Sequence, residues 1–185
     1  MRIISGKSRG TKLNTLEGKN TRPTLDRVKE SLFNIIQADI QGRTFLDIFA
    51  GSGAIGLEAA SRGASKVVLC DNSKKACEVI KTNIEKTHTK EITKLLNMNF
   101  DEATKVIKNE KFNLIYIDPP YENINIVKEA IELILKYDII DDDHIVIIET
   151  DNQEEVLKKI SKLDINIIDK RKYGRVSLIF LVKKD

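Results

Sequence analysis

Tryptophan is absent from this chain of 185 residues, cysteine and histidine occur twice each, and there are three prolines. Cys70 and Cys77 match no zinc or redox spacing, so no metal site is expected and a reducing cytoplasm is the expected compartment. His88 and His144 have no partners at catalytic spacing and read as structural. Asp141–Asp143 lack complementary ligands and read as a surface loop. No apolar run approaches the roughly 20 residues that span a bilayer, so no membrane partner is expected. The opening MRIISGKSRG carries charge but no apolar h-region, which excludes a signal peptide. There is no internal repeat, low-complexity tract or long linker. With 41% hydrophobic and 32% charged residues, disorder, collagen and coiled coil are excluded for the whole. What is left is one domain with room for an appendage, on a scale of about 150 residues per domain. A chain of this length buries roughly 70% of its unfolded surface without any staple.

The net charge of +3 is unevenly divided. Residues 1–30 carry eight Lys/Arg against three acids, +5, which leaves −2 for the remaining 155 residues. A basic leading segment on a slightly acidic body suits contact with a polyanion, against the alternative of a solvated lysine-rich surface.

From residue 44 apolar runs alternate with helical patterns. TFLDIF (44–49), KVVLCD (66–71), ITKLLN (92–97), FNLIYID (112–118) and HIVIIET (144–150) read as strands, the fourth continuous enough to be buried on both faces. Helices are expected over about 55–63, 73–86, 101–109 and 125–137, with a further one capped by Asn152. INIID (165–169) and VSLIFLV (176–182) flank the polar turn KRKYGR and predict an antiparallel hairpin. The fold class is therefore α/β: a doubly wound, Rossmann-like sheet, mostly parallel, with a C-terminal antiparallel hairpin. Residues 1–43 stand apart as a basic extension facing a polyanion, and 44–185 as the main domain. In the extension, Ile3–Ile4 and Thr11–Leu13 suggest a small hairpin, and Leu25 to Ile36 a helix capped by Thr24.

Two turns carry chemistry. Asp47-Ile48-Phe49-Ala50-Gly51-Ser52-Gly53 with Gly56 satisfies G-x-G-x-x-G between strand and helix, and Asp71 follows about 20 residues on, where a ribose-binding acid belongs. Loop amides without Cβ atoms can approach a small ligand closely. A dinucleotide would set its phosphates beside Asp47 without basic compensation. S-adenosyl-L-methionine offers instead a carboxylate for the amides, and an ammonium and sulfonium for the acids. The second turn, Asp118-Pro119-Pro120-Tyr121, follows the fourth strand. In the order 3-2-1-4-5 it neighbours the first turn across the switch point. The Asp118 carboxylate and Pro119 carbonyl are acceptors on a stiff backbone, and Tyr121 adds a flat face. That set suits an exocyclic amino group, whose lone pair two acceptors would localise for attack on a methyl.

DIFAGSG, the acid at 71 and DPPY together resemble a class I S-adenosylmethionine-dependent amino-methyltransferase. Arg9-Gly10 with Leu13, the stretch Arg22 to Asn34 and the late Tyr173-Gly174 resemble the bacterial 16S ribosomal RNA guanine-N2 methyltransferase family over nearly the whole chain. The resemblance implies methylation of one guanine amino group in 16S ribosomal RNA, free or in a partly assembled small subunit. It further implies that Asp47, Phe49, Ala50, Gly51, Ser52 and Gly53 surround the methionine end, with Asp71 and Asn72 at the ribose. Asn99 and the Phe100 amide would read the adenine, with Asp101 as the alternative reader and a loop cap as the bland role for Asn99. Asp118 through Tyr121 would hold the guanine. Arg22 and Thr24 would shape its pocket and Arg9 would meet RNA phosphate. Lys170, Arg171, Lys172 and Arg175 around Tyr173 form either a second RNA contact, with the tyrosine stacking on a base, or a solvated turn. Competing functions are methylation of a DNA base or a protein glutamine, a nicotinamide-dependent oxidoreductase, and an RNA-binding protein without catalysis.

Overall fold

The computed structural model describes residues 1–16, 23–120 and 124–184. In chain order its elements are α1 (Pro23–Ile35), β1 (Thr44–Asp47), α2 (Ala54–Ser61), β2 (Lys66–Asp71), α3 (Lys74–Thr87), β3 (Thr93–Asn97) and α4 (Phe100–Val106). They continue with β4 (Phe112–Ile117), α5 (Asn125–Lys136), β5 (Ile140–Thr150), α6 (Gln153–Ile160), β6 (Ile165–Tyr173) and β7 (Val176–Lys183). The sheet order is β3-β2-β1-β4-β5-β7-β6. The first five strands run parallel, and β7 is antiparallel to both of its neighbours. This is the doubly wound α/β sheet with the expected antiparallel finish.

Side chains alternate across the strands, so each face needs its own apolar cover. One face presents Phe45, Leu114, Ile147 and Leu178 to α1, α2 and α3. The other presents Leu46, Ile115, Ile148 and Ile179 to α4, α5 and α6. Ser73 caps α3 by accepting the Ala76 amide, and Asn152 caps α6 by accepting the Glu155 amide, which lets those helices start directly beyond the strands.

The leading segment folds back as an antiparallel bridge between Arg2 and Lys12, and Ile3 and Leu13 join the apolar core of the α1 face. It is anchored on Glu58, a fully buried acid in α2. The Ile4 and Ser5 amides donate to its two oxygens at 2.7 and 2.9 Å. Arg62 donates at 2.8 Å and Lys29 of α1 lies 3.2 Å away. Lys29 also donates to the Arg2 carbonyl. Burial pushes its ammonium below the ordinary lysine value, with Glu58 opposing that shift.

Several boundaries differ from expectation. Helix α1 starts at Pro23, so Thr24 lies inside its first turn instead of capping it; proline already supplies the helical φ at that position. Strand β5 begins at Ile140, so Asp141–Asp143 belong to a strand and not to a loop. Arg43 pairs with Asp143 at 2.5 Å, and the Asn113 amide donates to its carbonyl at 2.9 Å, which holds the acids in place. Strand β6 continues through Tyr173, and the expected six-residue turn is reduced to Gly174-Arg175, with φ of +64° at the glycine. The Lys183 amide donates to His144 Nε2 at 2.8 Å, and His144 Nδ1 faces the Asp141 carbonyl at 2.6 Å. His88 ends α3 in the left-handed conformation. Both histidines thus take structural places.

Candidate active site

Strands β1 and β4 are parallel neighbours with Asp47 opposite Tyr116, so the turns that follow them leave the same end of the sheet. The first turn is closed by the Gly53 amide donating to the Ala50 carbonyl at 2.7 Å. Gly51 and Gly53 have φ of +58° and +77°, and a Cβ on Gly51 would meet nothing within 4 Å. The turn is therefore open on its Gly51 side. Gly56 serves a different purpose: a Cβ there would lie 2.2 Å from Leu69, so it lets α2 lie close on β2.

Asp71 ends β2 and faces this turn. Its Oδ2 accepts the Gly51 amide and its Oδ1 accepts the Ser73 amide, both at 2.8 Å. The carboxylate thus orders the glycine turn and the start of α3, and each oxygen keeps a lone pair for a further donor. Asn72 donates to the Asn99 side chain at 3.0 Å. Phe49 and Phe100 meet with ring centroids 5.5 Å apart. Asn99 is the N-cap residue of α4 but makes no side-chain cap hydrogen bond. The structure thus brings Asp47, Phe49, Ala50, Gly51, Ser52, Gly53, Asp71, Asn72, Asn99 and Phe100 together around the ends of β1, β2 and β3.

Asp47 is 1% exposed, and its Oδ1 has no hydrogen-bond partner among the described residues. Burial pushes its carboxyl up to about 7, with the charges of Asp71 and Glu149 adding to the rise. The amides of Phe49 and Gly56 favour the charged form. A buried acceptor left open beside an open turn fits a cationic donor such as an ammonium. It does not fit a phosphate.

Beyond β4, Asp118 is half-buried, Pro119 is buried and Pro120 exposed. Tyr121 lies outside the described residues. Beneath this turn the Tyr116 hydroxyl donates to the buried carboxylate of Glu149 on β5. Burial, Glu149 and Asp118 together push the phenol well above its ordinary value, and burial likewise raises Glu149. This pair was not anticipated. The signal for it was one ionisable side chain in each of two largely apolar strands, Tyr116 in FNLIYI and Glu149 in IVIIET.

The substrate candidates are more scattered. Tyr173 is half-buried against the core of the α1 face, and Arg175 is exposed in the β6–β7 turn. Since Thr150 faces Ser177, that turn lies at the same end of the sheet as the two chemical turns. Arg9 lies instead in the leading bridge, which rests on Ser61 and Thr87 at the C-terminal ends of α2 and α3. The chemical turns are at the opposite ends of those helices. Arg22 and the Thr24 side chain lie outside the described residues. Among the described residues no three His, Cys, Asp or Glu converge as a metal site, and no helix is long and apolar enough to cross a membrane.

Residues 1–182 match the family model described as Conserved hypothetical protein 95. The chain is 33% identical to YlbH of Bacillus subtilis over 189 residues, covering 100% of both. It is 33% identical to ribosomal RNA small subunit methyltransferase D of Haemophilus influenzae over 159 residues, 85% of this chain and 82% of that one. The solved structure of yhhF from Escherichia coli matches with a TM-score of 0.83 at 28% identity, over 100% of this chain and 98% of that chain.

Proposed function

The chain belongs to the family described as Conserved hypothetical protein 95, whose relatives include ribosomal RNA small subunit methyltransferase D, and on that premise we propose that it methylates the exocyclic N2 of a guanine in 16S ribosomal RNA. The observation that carries the reading is the pairing of two turns on adjacent parallel strands, one around an open buried acid and the other rich in acceptors. When bound, S-adenosylmethionine supplies a methyl group activated by its sulfonium. Asp47 would receive its ammonium, and the backbone of Gly51, Ser52 and Gly53 its carboxylate. Asp71 with Asn72 would take the ribose hydroxyls, and Asn99 with the Phe100 amide the adenine.

The second turn acts on the target. The Asp118 carboxylate and Pro119 carbonyl accept the two N–H bonds of the guanine amine, which keeps its lone pair from delocalising into the ring. Pro120 stiffens the turn and Tyr121 offers its ring to the base. As positive charge grows on nitrogen, Asp118 stabilises it and accepts the proton. The Tyr116–Glu149 pair fixes the ends of β4 and β5 below. Residues 1–43 form the RNA-facing part, with Arg9 on phosphate and Arg22 and Thr24 near the base, and Tyr173 with Arg175 extends the contact at the hairpin tip. The substrate is 16S RNA, free or in a partly assembled small subunit, in the reducing compartment of the cell. An oxidoreductase reading leaves the acid beside the glycine turn and the DPPY turn unexplained.

Nucleoside mass spectrometry of ribosomal RNA from cells lacking the protein tests the activity. One N2-methylguanosine of 16S RNA should disappear and return with the unaltered gene. An unchanged nucleoside profile would overturn the assignment. Transfer of tritiated methyl to free 16S RNA against assembly intermediates separates the two forms of substrate.

A further inference from the structure

Asn83, in the second half of α3, is fully buried and fully bonded. Its Oδ1 accepts the Asn14 amide at 2.8 Å. Its Nδ2 donates to the Asn14 carbonyl at 3.0 Å and to the Ser52 carbonyl at 2.9 Å. One side chain therefore grips the leading segment on both sides of a single residue and, with its remaining hydrogen, the glycine turn. The Asn14 side chain is held separately, by Lys86 at 2.5 Å. Among the described residues the other anchors of the leading segment, Glu58, Ser61 and Thr87, lie along or below α2 and α3 and do not reach this turn.

We propose that Asn83 is a positioning residue that links the place of the leading segment to the shape of the cofactor turn, so that binding of RNA and binding of the methyl donor favour each other. This rests on the proposed function, in which the segment meets RNA and the turn meets S-adenosylmethionine. The physical basis is that a buried amide with three partners cannot lose one without leaving a polar group unsatisfied. Ordering either side therefore holds the amide ready for the other. By linkage the effect is reciprocal: RNA tightens the cofactor by the same factor as the cofactor tightens RNA.

Asn14→Pro deletes both the amide that Asn83 accepts and the Lys86 contact, whereas Asn14→Ala keeps both backbone bonds and removes only the Lys86 contact. Binding of S-adenosylhomocysteine, measured by calorimetry, should weaken roughly fivefold in Asn14→Pro and in Asn83→Ala, the equivalent of about one hydrogen bond. It should stay unchanged in Asn14→Ala. The double variant should be no weaker than Asn83→Ala alone, because both substitutions break one link. The tightening that RNA produces in the unaltered protein should vanish in both variants. Normal cofactor affinity in Asn14→Pro, or effects that add in the double variant, would overturn the proposal. Hydrogen exchange of the Gly51 and Gly53 amides in the ligand-free protein gives a second readout, and it should quicken in Asn14→Pro. Failure of the unaltered protein to bind S-adenosylhomocysteine would count against the proposed function alone, and unchanged exchange in Asn14→Pro against the link itself.

Discussion

At the scale of single residues the site is a set of carboxylates in different surroundings. Asp118 is half-buried beside the acceptor turn, and its loss should leave cofactor binding intact while lowering the rate by about 10²–10³-fold, as when one preorganised polar group is deleted. Single-turnover kinetics with calorimetry on Asp118→Ala checks both halves. Asp47 makes a pH prediction. Its folded value of about 7 lies above the ordinary 3.8, so between those values the folded chain holds a proton that the unfolded chain has released. Stability of the ligand-free protein should therefore fall as pH rises from about 4 to about 7 and level off above that. Urea titrations of the protein against Asp47→Asn isolate this slope. An ammonium beside Asp47 favours the carboxylate, so S-adenosylhomocysteine affinity should rise through pH 7 with release of a proton, seen as a buffer-dependent heat. Asp71→Ala should weaken the same ligand clearly, since it removes a charged partner worth about 1.5–3 kcal/mol and also frees the Gly51 amide.

At the scale of elements, close contacts decide more than propensity does. Gly56→Ala would drive a methyl group to 2.2 Å from Leu69 and should cost about 1–3 kcal/mol, read as a lower melting temperature. Glu58 is the joint between the leading bridge, α1 and α2. Glu58→Ala leaves Lys29 buried without its partner and the Ile4 and Ser5 amides without their acceptor, and should cost about 3–5 kcal/mol in urea denaturation. Period and capping residues made the strands and helices after residue 44 legible in the sequence, and Lys66–Asp71 was read to the residue. The ends that moved did so for tertiary reasons. Strand β5 was lengthened by partners on β4 and before β1, and β6 was drawn out to Tyr173 because β7 pairs with it as far as Val176. Glu58 lay unnoticed within an apolar helix, since its four donors come from parts of the chain 4 to 54 residues away.

Across the whole molecule, the charge asymmetry needs one adjustment. Lys29, counted among the basic leading residues, is 2% exposed and committed to Glu58, whereas Arg2, Lys7, Arg9, Lys12 and Arg27 are exposed. With about 4–6 phosphates neutralised, log affinity for single-stranded RNA should fall against log salt with a slope of about −3 to −4. Filter binding across a salt series measures it, and a flat response would reduce the segment to ordinary surface. Sequence alone settled the doubly wound order and both chemical turns, because strand period, glycine spacing and the acid after the second strand are local signals. It also placed the two turns at one crevice, through the 3-2-1-4-5 order expected of a doubly wound sheet. The tertiary structure alone decided which charges are spent internally. It also decided that Asp71 orders the turn it serves, that Tyr116 and Glu149 lie beneath the second turn, and that Asn83 ties Asn14 to Ser52. Each of those depends on burial and on partners far apart in the chain, and neither quantity is written in any short stretch of residues.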